Sequence, residues 1–301
     1  MTSEAEQGLV PIAPSFVQVL LPGMGNADEA DGDYRGSDGI LRCGVCKQPK
    51  EMSVSIWGEG APPAVVRILC KCQQEKQDKE DAAMRLRQKK IRNAEALEAM
   101  AELDAVMPIT YDFSQYDGGS DKNRDQAKYY ADHFDRMLRE NIGMMLYGDT
   151  GRGKTFYSES IASELADKGY LVVYTRIPKL VTAMNADNGR ERHYITRMIE
   201  RADLLIIDDL GVERETDYML EQVDGIINTR YKAKKPLLIT TNLSPYVLIN
   251  SEDINHRRPY ERIMEMCKPV EIVGSNRRTD PRKVCSRAWR KLAEEAGSDK
   301  V

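Results

Sequence analysis

The sequence lacks a hydrophobic run long enough to cross a membrane, because none of its apolar stretches approaches the roughly 18 residues that a spanning helix needs. It also lacks the positively charged start of a secretory signal, since Glu4 and Glu6 stand there instead. These absences predict a soluble, cytoplasmic protein with no membrane partner. Disulfides rarely persist in the cytosol, so the six cysteines are expected to be reduced thiols or metal ligands.

Charge of one sign is also scarce at the start of the chain. Residues 1–41 carry seven acidic side chains and Arg35 as their one basic side chain, although the net charge of the whole chain is only −4. The stretch from Arg257 to Lys291 is strongly basic. Such a stretch predicts either a surface that meets the phosphates of a nucleotide or nucleic acid, or an ordinary solvated surface.

The length of 301 residues suits an α/β domain of ordinary size together with a smaller unit. Residues 1–40 are rich in Gly, Pro, Ala and Asp and predict a largely disordered acidic tail. Its apolar run from Phe16 to Leu21 could dock on a partner or on the protein itself. Residues 41–75 hold two close cysteine pairs, residues 76–104 predict an exposed helical linker, and residues 105–301 predict the main domain.

The main domain contains five apolar runs at the spacing of an α/β protein. They predict strands at 142–147, 171–174, 204–207, 237–240 and 270–273, with helical stretches between them. Near-continuous apolar strands that alternate with helices imply a parallel sheet covered by helices on both faces. The predicted fold class is therefore α/β.

A complete phosphate-loop pattern, GDTGRGKT, follows the first of these strands. Its glycines let backbone N–H groups surround phosphates, Lys154 would reach the β- and γ-phosphate oxygens, and the Thr155 hydroxyl would ligate Mg²⁺. The pattern predicts that the loop binds a nucleoside triphosphate. The expected contacts are Gly148, Asp149, Thr150, Gly151, Arg152, Gly153, Lys154, Thr155 and Phe156.

Polar side chains follow two later strands. Asp208 and Asp209 end the third run, at the edge where α/β sheets bind ligands. Asp208 would hold Mg²⁺ opposite Thr155 and Asp209 would orient the attacking water, although the pair could instead cap the next helix. Asn242 ends the fourth run and would either lie beside the γ-phosphate or simply start a turn.

These motifs, with IIDDLG at 206–211, ITTNLS at 239–244 and the segments 107–116 and 260–278, resemble AAA+ ATPases of the DnaC/DnaI type. That family comprises replicative-helicase loaders, and the IstB-like transposition helpers are close relatives. The resemblance covers roughly residues 105–280 well and 43–75 moderately. It implies an AAA+ P-loop fold, ATP and Mg²⁺ as ligands, and self-association into a ring or spiral on the helicase.

The resemblance also implies individual roles. Lys154 and Thr155 match the Walker A pair, Asp208 and Asp209 the Walker B pair, and Asn242 the sensor I residue. Arg262 matches the arginine presented to a neighbouring subunit's γ-phosphate, with Arg257 and Arg258 as competitors, and Arg278 holds the final G-x-x-x-R position. Asp209, where many AAA+ proteins have Glu, implies slow turnover, and the short chain after Gly274 implies a domain without a full helical lid.

The two cysteine pairs, C-x₂-C and C-x-C, fit a structural Zn²⁺ site with four thiolate ligands. A unit of about 35 residues needs such a staple, because it cannot build a sufficient apolar core. The alternative is four unrelated reduced thiols. The predicted ligands are Cys43, Cys46, Cys70 and Cys72, whereas Cys267 and Cys285 are expected to be ordinary thiols.

The predicted function is an ATP-dependent loader that binds a replicative DNA helicase through its N-terminal module and deposits it on single-stranded DNA. ATP binding and hydrolysis would act as an assembly switch. An IstB-type transposition helper shares this chemistry and differs in its partner. A small-molecule kinase does not need the Asp-Asp pair and the strand-ending Asn, and a zinc-based adaptor would have an inert nucleotide site.

Overall fold

The computed structural model describes residues 29–54, 63–116, 121–186, 190–211, 217–250 and 254–274. The chain divides into two units, Met1–Arg85 and Leu86–Val301. Among the described residues, no helix has both the length and the apolar character of a membrane span. The apolar run at residues 16–21 and the basic segment after residue 274 lie outside this description.

The smaller unit is built from two antiparallel strand pairs and the start of a helix. Strand β1 (Tyr34–Arg35) pairs with β2 (Leu41–Arg42), and β3 (Glu51–Val54) pairs with β4 (Ala64–Arg67). Helix α1 (Lys71–Glu102) follows, and the division between the units falls within it. Among the described residues of this unit few apolar side chains are buried, which agrees with the expectation that it needs a staple.

Ion pairs show that this unit begins before residue 41, its predicted first residue. Lys50 Nζ lies 2.5 Å from Asp33 Oδ2, and both side chains are 4% exposed. Glu51 accepts hydrogen bonds from the Arg35 guanidinium and the Leu41 amide. Residues 29–40, assigned from composition to the acidic tail, are therefore part of the folded unit, because Asp33 and Arg35 are partners of side chains further along the chain.

The larger unit has an α/β architecture. Its helices are α2 (Lys122–Asp132), α3 (Phe134–Glu140), α4 (Lys154–Asp167), α5 (Ile177–Asn185), α6 (Arg190–Arg201), α7 (Asp217–Ala233), α8 (Pro245–Ile249) and α9 (Ile254–Met266). Its strands are β5 (Gly143–Tyr147), β6 (Val172–Thr175), β7 (Leu204–Leu210), β8 (Leu237–Thr241) and β9 (Cys267–Glu271).

The five strands form one parallel sheet in the order β6-β7-β8-β5-β9. The predicted α/β fold with a parallel sheet is confirmed. The last strand begins three residues earlier than predicted and ends at Glu271, because Cys267 is buried against the sheet whereas Val273 is 56% exposed.

Helices cover both faces of the sheet, as alternation along the strands requires. Met145, Leu205 and Ile207 pack on one face with residues of α5, α6, α7 and α9. Met144 and Ile206 pack on the other face with residues of α2, α3 and α4. The end of α1 joins the first of these clusters, where Ala96, Leu97 and Met100 pack although most of this helix is exposed.

One fully buried arginine ties three segments of this unit together. The Arg230 guanidinium on α7 donates to the carbonyls of Ile199 and Ala202 at the end of α6, of Asp203 before β7, and of Pro236 before β8. Burial lowers the pKa of Arg230 to about 9. The rigid guanidinium fork supplies hydrogen-bond donors to these carbonyl groups in the interior of the unit.

We expect Arg230→Met to destabilise the larger unit by about 3–5 kcal/mol, because it strands several buried carbonyls. Arg230→Lys should have an intermediate stability, since an ammonium group cannot reproduce the hydrogen bonds of the guanidinium fork. Urea unfolding followed by circular dichroism measures both. The control is Lys232→Met, an exposed position on the same helix. An unfolding midpoint of Arg230→Met equal to that of the control would contradict the assignment.

Candidate functional site

The phosphate loop has a backbone that only glycine adopts easily. It connects β5 to α4, and Gly148, Gly151 and Gly153 have φ angles of +136°, +83° and +99°. A Cβ atom at Gly148 would come within 2.8 Å of the Ile272 carbonyl oxygen. Gly153 caps α4 without a side-chain hydrogen bond, so the amides at the start of this helix can bind an anion.

Lys154, the first residue of α4, points back into the loop and is 6% exposed. Its ammonium group donates to the carbonyl oxygens of Gly148 at 2.7 Å and Asp149 at 3.0 Å. It also donates to Asn242 Oδ1 at 2.7 Å. The structure therefore brings the strand-ending Asn242 to the phosphate loop, where a bound phosphate would replace these acceptors around the lysine.

Asp208 is fully buried at the end of β7. Its Oδ1 accepts hydrogen bonds from the Thr155 hydroxyl at 3.2 Å and the Thr240 hydroxyl at 2.7 Å. A carboxylate beside a threonine hydroxyl offers the oxygen ligands that Mg²⁺ prefers, and such sites usually also use substrate phosphates. Thr155 and Asp208 thus fit the predicted magnesium site.

Asp209 lies in an irregularity of β7, where the register with β8 shifts between Ile207 and Leu210. Its φ angle is +56°, and its amide donates to the Thr240 hydroxyl at 2.9 Å. Bulges of this kind redirect side chains beside active sites. Thr240 therefore holds the carboxylate of Asp208 and the backbone of Asp209, a role that sequence reasoning missed.

Arg176 is a second residue that sequence reasoning missed. It follows β6, and its Nη2 lies 2.8 Å from Asp208 Oδ2 and 3.2 Å from Asp209 Oδ2. The hydrogen bond with Asp208 raises the pKa of Arg176. A charged residue directly after a predicted strand was the available signal, but strand order is needed to place β6 next to β7.

An aromatic group flanks the start of α4. The Phe156 ring lies 5.6 Å from that of Tyr111 and 6.1 Å from that of Tyr116, measured between centroids. Buried Glu159 fixes this segment, because its carboxylate accepts hydrogen bonds from the amides of Thr110 at 2.6 Å and Tyr111 at 3.0 Å. The predicted contact residue Phe156 is thus part of a pre-formed apolar surface beside the loop.

Arg262 lies on α9, and its described contact is with α7 rather than with the phosphate loop. Arg262 Nη1 is 2.6 Å from Asp224 Oδ1. Arg257 pairs with Glu261 on the same helix at 2.9 Å, and Arg258 is exposed. Arg278 lies outside the described residues, so its predicted role stays a prediction.

The four predicted zinc ligands converge in the smaller unit. Their sulfur atoms all lie within 4.8 Å of one another, with Cys43 to Cys72 at 3.6 Å and Cys70 to Cys72 at 3.8 Å. Tetrahedral Zn–S bonds of about 2.3 Å place sulfurs about 3.8 Å apart, so the cluster fits this ion.

The neighbours of these thiols shift their pKa values in opposite directions. The backbone amide of Gln48 is the main cause that lowers the pKa of Cys46 to about 6. The sulfurs of Cys46 and Cys43 raise the pKa of Cys72 to about 12. A divalent ion at this position would favour the thiolate form of all four ligands.

Comparison with known proteins finds replicative helicase loaders among the relatives of this chain. DnaI of Bacillus subtilis is 30% identical over 147 residues, which are 45% of this chain and 47% of DnaI. DnaC of Escherichia coli K12 is 27% identical over 121 residues, which are 39% of this chain and 48% of DnaC. The chain thus matches about half the length of these relatives.

A crystal structure of DnaI aligns with a TM-score of 0.47 and 27% identity, and the alignment covers 57% of this chain and 94% of that one. The model of the family IstB-like ATP binding protein matches residues 74–280, which include the phosphate loop, both aspartates, Asn242 and Arg262 but not the cysteine cluster. The resemblance seen in the motifs is confirmed, and the chain belongs to the family of IstB-like ATP binding proteins.

Proposed function

We propose that this protein is an ATP-dependent loader of a replicative DNA helicase, with ATP binding and hydrolysis as the switch that controls assembly. The observation that carries the proposal is the convergence of Lys154, Thr155, Asp208, Asp209 and Asn242 at one edge of the sheet. The relatedness to DnaI and DnaC supports the loader role. The family description, IstB-like, supports a transposition helper as the second candidate.

Each side chain has a distinct task in ATP hydrolysis. The amides of the loop and Lys154 bind and orient the phosphates, with Asn242 holding the lysine in line. Thr155 and Asp208 would hold Mg²⁺, which neutralises charge on the β- and γ-phosphates. Asp209, one third exposed, orients the attacking water and accepts its proton. Its short side chain is a reason to expect slow turnover.

A basic stripe on α6 is a candidate contact for single-stranded DNA. Arg190, His193, Arg197 and Arg201 recur every three or four residues and are all exposed, while Ile195 and Ile199 face the core. The stripe extends about 16 Å along the helix. The three arginines of this stripe suit a nucleic-acid backbone, and such binding weakens as the salt concentration rises.

The cysteine cluster suits a structural role in partner binding. Four thiolate ligands would leave Zn²⁺ no open position, so the ion would stabilise the small unit without performing hydrolysis. The exposed apolar side chains Val45, Met52 and Leu69 flank the cluster or the hairpin beside it. These residues favour a protein partner, and we assign the helicase to this unit.

We expect the protein to hydrolyse ATP slowly and to be stimulated by single-stranded DNA. Lys154→Ala should abolish turnover, and Asp209→Asn should lower it by about 100-fold or more while ATP still binds, because the lost step is activation of water. Phosphate release with and without single-stranded DNA measures this. Arg197→Ser should lose much of the DNA stimulation and keep basal turnover, with Arg136→Ser, a remote surface arginine, as its matched control.

Transfer of phosphate to a nucleoside without any effect of DNA would instead indicate a kinase. Absence of turnover in every mixture would indicate an adaptor.

We expect removal of Zn²⁺ to abolish helicase binding and to leave ATP binding intact, because the two sites belong to different units. Chelator treatment or Cys70→Ser should release bound zinc, and both should prevent capture of the replicative helicase from the same cell. Cys267→Ser, a thiol outside the cluster, is the control. Full zinc release with unchanged helicase capture would refute this role, and capture of a transposase in place of the helicase would favour the transposition helper.

We expect Arg262 to act on the ATP of a neighbouring subunit. Arg262→Ala and Lys154→Ala should each be inactive alone, whereas a mixture should regain hydrolysis, because intact loops then meet intact arginines across subunits. Arg257→Ala tested in the same way is the control for the competing arginine. Hydrolysis by Arg262→Ala alone at the wild-type rate would exclude Arg262 from this role.

A further inference from the structure

The carboxylates of Asp208 and Asp209 are paired with an arginine side chain of the protein. Asp208 uses Oδ1 for the hydroxyls of Thr155 and Thr240, and Oδ2 for the Arg176 guanidinium. The same guanidinium reaches Asp209 at 3.2 Å. Both acidic side chains are therefore compensated by one arginine on the neighbouring strand end.

This arginine stands where a second cation would be repelled. The hydroxyl of Thr155, a predicted magnesium ligand, faces one oxygen of Asp208, and the guanidinium holds the other oxygen of the same carboxylate. A divalent ion on Asp208 would lie within a few ångströms of this positive charge, where two like charges repel each other. Each cation would therefore weaken the binding of the other to Asp208.

The Arg176 side chain can move away from Asp208 into solvent. Its side chain is 41% exposed, so it can turn into water without uncovering a core. Its backbone is extended, with φ −128° and ψ 152°, and lies just before α5. Release of the side chain therefore requires no movement of the helix.

We propose that Arg176 is a built-in substitute for Mg²⁺, which holds Asp208 and Asp209 in the nucleotide-free protein and is displaced when Mg²⁺ and ATP bind together. The inference rests on the proposed ATPase site and adds its control by the metal. Arg176 acts through the carboxylates and is a positioning residue. While it is in place, the site repels free Mg²⁺ and tolerates a metal-free triphosphate.

The proposal predicts opposite changes in two media for Arg176→Ala. Binding of a fluorescent ATP analogue in EDTA should weaken by about tenfold, because the two carboxylates then repel the phosphates without compensation. The Mg²⁺ concentration that half-saturates analogue binding should fall by about tenfold, because no arginine competes for Asp208. Arg176→Lys keeps a charge but not the guanidinium fork, so its analogue binding and its Mg²⁺ dependence should lie between those of the wild-type protein and Arg176→Ala.

A second measurement needs no nucleotide. Mg²⁺ alone should raise the Tm of Arg176→Ala and leave the Tm of the wild-type protein unchanged. The matched control is Lys179→Ala, which removes a cation from the helix that follows Arg176, where Lys179 pairs with Asp104 instead. In an Asp208→Asn background, Arg176→Ala should no longer change the Mg²⁺ dependence.

Equal weakening in EDTA and in Mg²⁺ would show that Arg176 merely contacts phosphate, and would overturn the proposal. An unchanged Mg²⁺ dependence together with no effect of Mg²⁺ on the Tm of Arg176→Ala would also overturn it. If the wild-type protein binds no nucleotide at all, the ATPase proposal fails, and the Tm measurement still decides whether Arg176 excludes the metal.

Discussion

The fully buried carboxylate of Asp208 is the constraint on which the arrangement of this site depends. A buried charge without partners is strongly unfavourable, so the fold must supply donors from every side. They come from three directions: Thr155 after the phosphate loop, Thr240 on β8, and Arg176 after β6. Satisfying one side chain thereby connects the loop to three neighbouring strands. These donors are adjacent because β6, β7 and β8 are neighbours in the parallel sheet, so the site depends on this strand order.

What could be predicted from the sequence was local. The phosphate loop, the aspartate pair and the cysteine pairs each fall within a few residues, and apolar runs indicate strands because periodicity depends only on near neighbours. Arg176 and Thr240 were missed because their roles depend on which strands are adjacent, and apolar periodicity does not encode strand order. The positive φ of Asp209 was likewise hidden, since it arises from a register shift between β7 and β8.

The smaller unit shows a different limit. Composition assigned residues 29–40 to an acidic tail, yet Asp33 is almost completely buried against Lys50. In a unit with so few buried apolar side chains, ion pairs and thiols occupy positions that hydrophobic residues fill elsewhere. Acidic composition is a good guide to disorder only when no cation further along the chain is positioned to pair with it. The four cysteines were predictable as candidate ligands because the two members of each pair are close in sequence.

The charges of the candidate site are balanced within the protein. Lys154 and Arg176 are the cations, Asp208 and Asp209 the anions, and each is engaged with groups of the protein itself. In the proposed mechanism, binding of ATP with Mg²⁺ would rearrange both cations, because Lys154 would turn to phosphate and Arg176 would give up its contact with Asp208. The nucleotide-free and nucleotide-bound proteins then differ in their contacts at four adjacent strand ends. Such a difference gives a partner that prefers one state a structural basis for selecting it.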